Sequence, residues 1–273
     1  MNWHVQQTGS GPVMLLVHGT GASTHSWRAL IPLLAQHYTV VAVDLPGHGF
    51  TDSRRGGCMS ITGMSACVAA LLRTLVLDPA YCVGHSAGAV VLCQMAMDRQ
   101  IEPRLVIGIN GAFLPLGGAA AFFFLPIAKL LAANSLMPRF VAWRAGNRAL
   151  VERMIGGTGS RLDAEGVDLY ARLVRKPRHV AGALDMMAHW DLTAFAQRMP
   201  ALATPLALLV AENDRTVPPH QAALVQQRVP EVEVIRLAGL GHLAHEEQPA
   251  WVAREIVRLC GRHPCRTDRS QCA

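Results

Sequence analysis

An apolar strand that runs straight into a helix through Gly84-His85-Ser86-Ala87-Gly88 constrains this chain more than any other feature. YCVGHS (81–86) reads as a buried strand and AGAVVLCQMAMDR (87–99) as the helix that follows. Small residues flanking Ser86 permit the close backbone approach that a tight strand-to-helix turn requires. A serine on such a turn has its hydroxyl exposed beside a helix N-terminus, whose dipole and free N–H groups favour developing negative charge. A bare G-x-S-x-G arises by chance in loops; the strand–turn–helix setting makes Ser86 a nucleophile candidate.

The strand needs a sheet, and the chain supplies one. VMLLVHG (13–19), YTVVAVD (38–44), RLVIGIN (104–110), PLALLVAEN (205–213) and VEVIRLAG (232–239) read as further strands. Their continuous apolar character suits strands buried on both faces of a parallel sheet. Helices are expected over 26–36, from Ser60 to about Leu77 with Thr62 or Ser65 as cap, and near 219–228 and 247–260. The alternation predicts an α/β fold with a mostly parallel sheet covered by helices on both faces.

The alternation stops between residues 111 and 200 and then resumes. That insertion contains FFFLPIAKLLA (122–132) and a helix-like stretch over 163–178, and it carries +5 of the chain's net +6. We expect a helical lid there, a core built from 1–110 and 201–261, and a disordered tail over 262–273. Between Arg104 and Lys129 lie 24 uncharged residues. This length could span a bilayer, but Asn110, Gly111, Gly117, Gly118, Pro115 and Pro126 argue for a buried strand followed by an apolar lid helix.

Composition narrows the function. With 51% hydrophobic and 16% charged residues in 273, the chain is not disordered. Its positive charge favours an anionic partner, such as a membrane surface or an acidic substrate. Nucleic acid is the weakest of the anionic partners and none is expected, since no Lys/Arg run interleaved with aromatics is present. Cys58, Cys67, Cys82, Cys93, Cys260, Cys265 and Cys272 form an odd set with neither a CxxC pair nor zinc spacing. We read them as reduced thiols of a cytoplasmic protein. The N-terminal MNWHVQQTGSGP lacks the features of a signal peptide. No metal site, no cofactor and no phosphate loop of the G-x-x-x-x-G-K-[ST] type is expected.

A serine hydroxyl is a weak nucleophile that needs a base oriented by an acid. In this chain order the acid follows a late strand and the histidine follows the last one. Asp214, in AENDRTVPP, and His242, in GLGHLAHEE, occupy those places. Asp214 could instead merely cap a turn. His245 rivals His242, but the flanking Gly239 and Gly241 favour His242 at a tight loop, leaving His245 to begin the last helix or meet solvent. The oxyanion donors would be the backbone N–H groups of Thr20, in HGTG after the first strand, and Ala87. His18 reads as a buried structural histidine, and DLPGHG (44–49) as a shape-setting loop in which His48 could border a pocket.

HGTGAS, DLPGHGFTDS, GHSAG, ENDRTVPP and GLGHLAHEE, in this order, resemble the α/β-hydrolase superfamily over all but the lid. GHSAGAVVLCQMA, VIGINGAFLPLGG, GTGSRLDAEGVDLYARLV and MMAHWDL further resemble the magnesium-chelatase accessory family of bacteriochlorophyll biosynthesis. The first resemblance implies the α/β-hydrolase fold with Ser86, His242 and Asp214 as the catalytic set. The second implies a place beside magnesium insertion into protoporphyrin IX in phototrophic bacteria. Such a setting would make chelatase subunits partners and the inner or photosynthetic membrane a peripheral contact. The lid offers candidates for a flat apolar macrocycle with two propionates. Phe122, Phe123, Phe124, Met137, Phe140 and Trp143 would meet the ring, and Arg139, Arg144, Arg148 and Arg153 the carboxylates. The plainer alternative is that these aromatics pack the lid on the core and the arginines form a solvated face.

Two readings follow. One is a serine hydrolase of a hydrophobic, anionic ester or acyl compound; the other is a non-catalytic accessory factor that binds porphyrin, membrane or chelatase subunits.

Overall fold

The computed structural model describes residues 1–53, 58–115, 137–144 and 147–264. Among the described residues seven strands form one sheet: β1 (Val5–Thr8), β2 (Val13–Val17), β3 (Thr39–Val43), β4 (Tyr81–His85), β5 (Leu105–Ile109), β6 (Leu206–Ala211) and β7 (Glu233–Leu237). Their spatial order is β1-β3-β2-β4-β5-β6-β7, with every pair parallel except β1 with β3.

Alternation along each strand divides the core between two faces. Leu15 and Val17 of β2, with Cys82 of β4 and Val106 of β5, point to the layer formed by α2 (Ile61–Leu75) and α3 (Ala87–Met97). Met14, Leu16, Val83 and Ile107 point the other way, against α1 (Ile31–Leu34) and, near the C-terminus, α11 (Pro249–Gly261). Both faces are therefore apolar, which is why these strands read as unbroken apolar runs.

Between β5 and β6 the described chain forms α4 (Met137–Arg144), α5 (Arg148–Gly157), α6 (Ala164–Val174), α7 (Pro177–Ala188) and α8 (Leu192–Arg198). After β6 come α9 (Gln221–Gln226) and, beyond β7, α10 (Ala244–Glu247) ahead of α11. No helix among the described residues is long and apolar enough to cross a membrane.

Several local expectations change. The helix expected over 26–36 is a 3-10 turn (Thr24–Trp27) followed by the short α1. Pro32 has no N–H to donate and its ring crowds the carbonyl four residues back, so one helix cannot run through. The helix over 163–178 breaks the same way, with Lys176 extended before Pro177. Ser60, rather than Thr62 or Ser65, caps α2 by accepting from the Gly63 N–H at 3.1 Å. Strand β1 was not expected; its sequence, VQQT, is polar because it pairs only with β3 at the sheet edge. Phe122, Phe123, Phe124, Cys265, Cys272 and most of the expected tail lie outside the described residues.

Because β2 to β7 run parallel, the loops after them gather along one edge of the sheet. Thr20 follows β2, Asp44 follows β3, Ser86 follows β4, Asn110 follows β5, Asp214 follows β6 and His242 follows β7. That carboxyl-end edge is where open α/β sheets place their ligands.

Candidate active site

Ser86 sits between β4 and α3 at φ +51° and ψ −117°, a backbone conformation that a non-glycine residue adopts only under constraint. The two flanking glycines explain how the turn closes. A Cβ on Gly88 would stand 2.1 Å from the Val17 carbonyl oxygen, and one on Gly84 would stand 2.4 Å from the Cα of Ala89. Helix α3 thus approaches β2 and β4 closely enough to exclude even a methyl group. Ala87 opens α3, so its N–H belongs to the first turn, whose amides have no intrahelical acceptor.

The loop after β2 passes directly beside this turn. A Cβ on Gly19 would lie 2.9 Å from both the Ser86 Cβ and the His85 Nδ1. His18 fixes that loop. Its Nε2 accepts from the Leu45 N–H at 2.9 Å, so Nδ1 carries the proton and donates to the Gly19 carbonyl at 2.8 Å. Burial, reinforced by His48, holds the His18 pKa well below the usual imidazole range. Thr20 follows at once, its hydroxyl donating to the Met186 sulfur of α7 at 3.3 Å.

Asp214 and His242 meet. His242 Nδ1 lies 2.7 Å from Asp214 Oδ2, and both side chains are buried. The other carboxylate oxygen accepts from the Thr216 and Val217 N–H groups at 2.7 and 2.9 Å, locking the acid's orientation. Asp214 therefore does both things the sequence offered: it shapes its turn and it holds His242. His242 is in turn bound to the serine side of the site. His85 Nε2–H donates to the His242 carbonyl at 2.9 Å, with the two rings 4.7 Å apart. Ser86, the Asp214–His242 pair and the Gly19–Thr20 loop thus meet around His85 at one end of the sheet edge.

Sequence reasoning missed two of the residues that build this corner. Asn110, at φ +47°, ends β5. Its amide nitrogen donates to the carbonyls of Gly241 (3.1 Å) and His242 (2.9 Å), and its oxygen accepts from the Ala211 N–H at 2.8 Å. It was visible only as a polar residue in an apolar stretch. Asn110→Ala would leave buried backbone groups unpaired and place alanine in a left-handed conformation; we expect a loss of about 2–3 kcal/mol. Chemical denaturation of the variant checks this. His179 of α7 is the second, with Nδ1 accepting from the Gly49 N–H and Nε2–H donating to the Gly21 carbonyl, both at 3.1 Å. Gly182 lets α7 lie on the loop after β3, since a Cβ there would stand 2.2 Å from the Gly47 carbonyl oxygen.

Other expectations need correction. His245 does not meet solvent: it is buried in α10, its ring centroid 4.6 Å from that of Trp27 and 4.5 Å from that of His85, both pairs tilted. Burial pushes its pKa down to about 3. His48 is buried between His18 and His179 rather than lining an open pocket. In the lid, α4 turns Pro138 and Ala142 inward, Ala142 packing on Val180 and Leu184 of α7. Arg139, Phe140 and Trp143 share the outer face, with Phe140 56% and Trp143 73% exposed. These aromatics do not pack the lid on the core. Arg148 is paired with Glu152 (3.0 Å) and with Asp168, so its charge is already committed. Arg144 ends α4.

The comparisons agree with this architecture. The alpha/beta hydrolase fold family model matches residues 12–249, and the chain belongs to that family. It is 38% identical over 248 residues to the magnesium-chelatase 30 kDa subunit of Rhodobacter capsulatus, covering 90% of this chain and 86% of that one. It is also 25% identical over 262 residues to an uncharacterized hydrolase of Bacillus subtilis (strain 168), covering 93% and 91%. Among solved structures, a thermophilic esterase from Thermogutta terrifontis superimposes with a TM-score of 0.75 at 25% identity, covering 96% and 94%.

Proposed function

We propose that the chain is a serine hydrolase of a hydrophobic, anionic ester or related acyl compound, working in the setting of magnesium chelation for bacteriochlorophyll. The observation that carries the reading is the buried Asp214–His242 pair at 2.7 Å, tied through the His242 carbonyl to His85, the residue before a serine at φ +51° on the N-terminus of α3. Ser86 Oγ attacks the acyl carbonyl carbon while His242 Nε2 takes its proton. The Thr20 and Ala87 N–H groups receive the oxyanion. His242 then protonates the departing alcohol, and a water, deprotonated by the same imidazole, hydrolyses the acyl-enzyme. Asp214 keeps the proton on Nδ1 so that Nε2 faces the reaction. The similarity to the magnesium-chelatase subunit supports the setting. The test is hydrolysis of p-nitrophenyl acyl esters of increasing chain length. Wild type is expected to turn over the series, and no turnover with any member contradicts the reading.

One observation favours a second reading, a non-catalytic accessory factor. The outward face of α4 sets Phe140 and Trp143, whose rings lie 6.0 Å apart, beside Arg139. Exposed aromatics next to a guanidinium suit a flat macrocycle bearing carboxylates. On this reading protoporphyrin IX docks on the lid, and chelatase subunits or a membrane surface are the further partners. Trp143→Ala with Arg139→Glu should weaken protoporphyrin IX binding about tenfold, followed by the porphyrin absorption band. Unchanged binding removes the lid face from consideration.

A further inference from the structure

Asp214 and His242 sit on separate loops, and a third segment joins them. The turn between α5 and α6, residues 158–161, lies against both. The Thr158 carbonyl accepts from the Arg215 N–H at 3.1 Å and from the His242 N–H at 3.3 Å, so one lid carbonyl holds a backbone amide of each loop. Ser160 is buried, and its Oγ accepts from the Leu243 N–H at 2.8 Å. Glu247 closes the junction, one oxygen accepting from the Gly241 N–H at 2.9 Å and the other from the Arg161 N–H at 3.1 Å.

Packing at this junction leaves no slack. A Cβ on Gly159 would stand 2.0 Å from the Asn213 carbonyl oxygen, and one on Gly241 would stand 2.3 Å from the carbonyl carbon of Gly159. Gly159 also has φ +86°, in the left-handed region that favours glycine. The three segments are therefore in backbone contact, held by two amide bonds to the Thr158 carbonyl and by amide bonds to the Ser160 and Glu247 side chains.

We propose that the 158–161 turn, with Ser160 at its centre, is a positioning element for the acid–base pair. The lid segment sets the spacing and orientation of the His242 loop against the Asp214 loop, and a shift of α5 and α6 is transmitted to the base. The turn joining α5 and α6 is thereby tied to the Asp214 and His242 loops, while α7 lies over the loops after β2 and β3. The geometric part stands on the contacts alone; its catalytic consequence rests on the serine hydrolase reading.

Ser160→Ala removes the acceptor for Leu243, and Ser160→Cys keeps a weaker one of similar size. Three readouts apply to each: the imidazole nitrogen NMR spectrum of His242, the rate of Ser86 labelling by a fluorophosphonate, and the melting temperature. In wild type His242 should be a single Nδ1–H tautomer. In Ser160→Ala it should show mixed tautomers and label about tenfold more slowly, with Ser160→Cys in between, since small misplacements of a base are catalytically large. A merely structural role would lower the melting temperature while leaving the His242 spectrum and the labelling rate within about twofold of wild type, and that result overturns the proposal. If Ser160→Ala does not fold, Glu247→Gln loosens the junction from the other side and is read identically. Failure of wild type to label sinks the hydrolase reading alone, because the His242 spectrum still decides whether the turn positions the base.

Discussion

Replacing Ser86 with alanine should lower ester turnover by about four to six orders of magnitude while leaving the fold intact. On the proposed mechanism the nucleophile is lost outright, and His242, Asp214 and the backbone donors would face bound ester with no group to attack it. Stability should change little. Alanine is only a hydroxyl smaller, and no hydrogen bond from the Ser86 side chain caps α3. The positive φ of +51° is present before and after substitution, so its strain largely cancels. Turnover of short acyl esters by wild type and Ser86→Ala, with melting temperatures measured in parallel, checks both halves. Unchanged turnover would mean that another group attacks the ester.

Acid should unfold this protein more readily than its carboxylates alone would explain. Burial holds His25 to a pKa of about 4 and His179 and His245 to about 3, and it holds His18 and His85 well below the usual range. Hydrogen bonding gives the same answer at His18 and His179, where one ring nitrogen accepts from a backbone N–H and would lose that bond on protonation. These folded-state values lie below the unfolded value near 6.5, so the unfolded chain binds more protons as pH falls through that range. Stability is then present at neutral pH and lost on acidification. From pH 7 to about 5.5 each of His25, His179 and His245 withdraws about 1 kcal/mol, and His18 and His85 act in the same direction.

Glu246 opposes this. Burial lifts its pKa to about 8 despite Tyr170 and Arg28 at its oxygens, so its folded form holds a proton that the unfolded form releases above about 4.5. Acidification over the same interval returns about 2 kcal/mol from this group. The histidines outweigh it, so a net loss of at least about 1 kcal/mol is expected, against the roughly 5–15 kcal/mol that holds an ordinary domain folded. Thermal melts at pH 7 and pH 5.5 test it; an equal or higher melting temperature at pH 5.5 contradicts the account of the buried histidines.

The sheet and the meeting of Asp214 with His242 were legible because their signals are local or ordinal. Gly84 and Gly88 mark a close approach, and Asp214 and His242 follow their strands in the order that the proposed chemistry would require. What could not be read depends on which distant segments meet. Asn110 matters because the 241–242 carbonyls arrive above it, and Ser160 because Leu243 does. Neither contact leaves a trace at its own position. The outward turn of Phe140 and Trp143 follows from Ala142 packing on α7, a choice of helix face that eight residues of mixed composition do not declare. Strand β1 escaped because an edge strand with one partner carries no apolar run.

The central claim is that Ser86 is activated by His242, and the most direct measurement is fluorophosphonate labelling of wild type and Ser86→Ala, with and without protoporphyrin IX. Such a probe reacts with a serine whose base has made it nucleophilic. The account predicts labelling of wild type and none of Ser86→Ala, and slower labelling with porphyrin would mean that the macrocycle binds over the same site. Absence of labelling in both proteins would contradict the claim and leave the accessory-factor reading in its place.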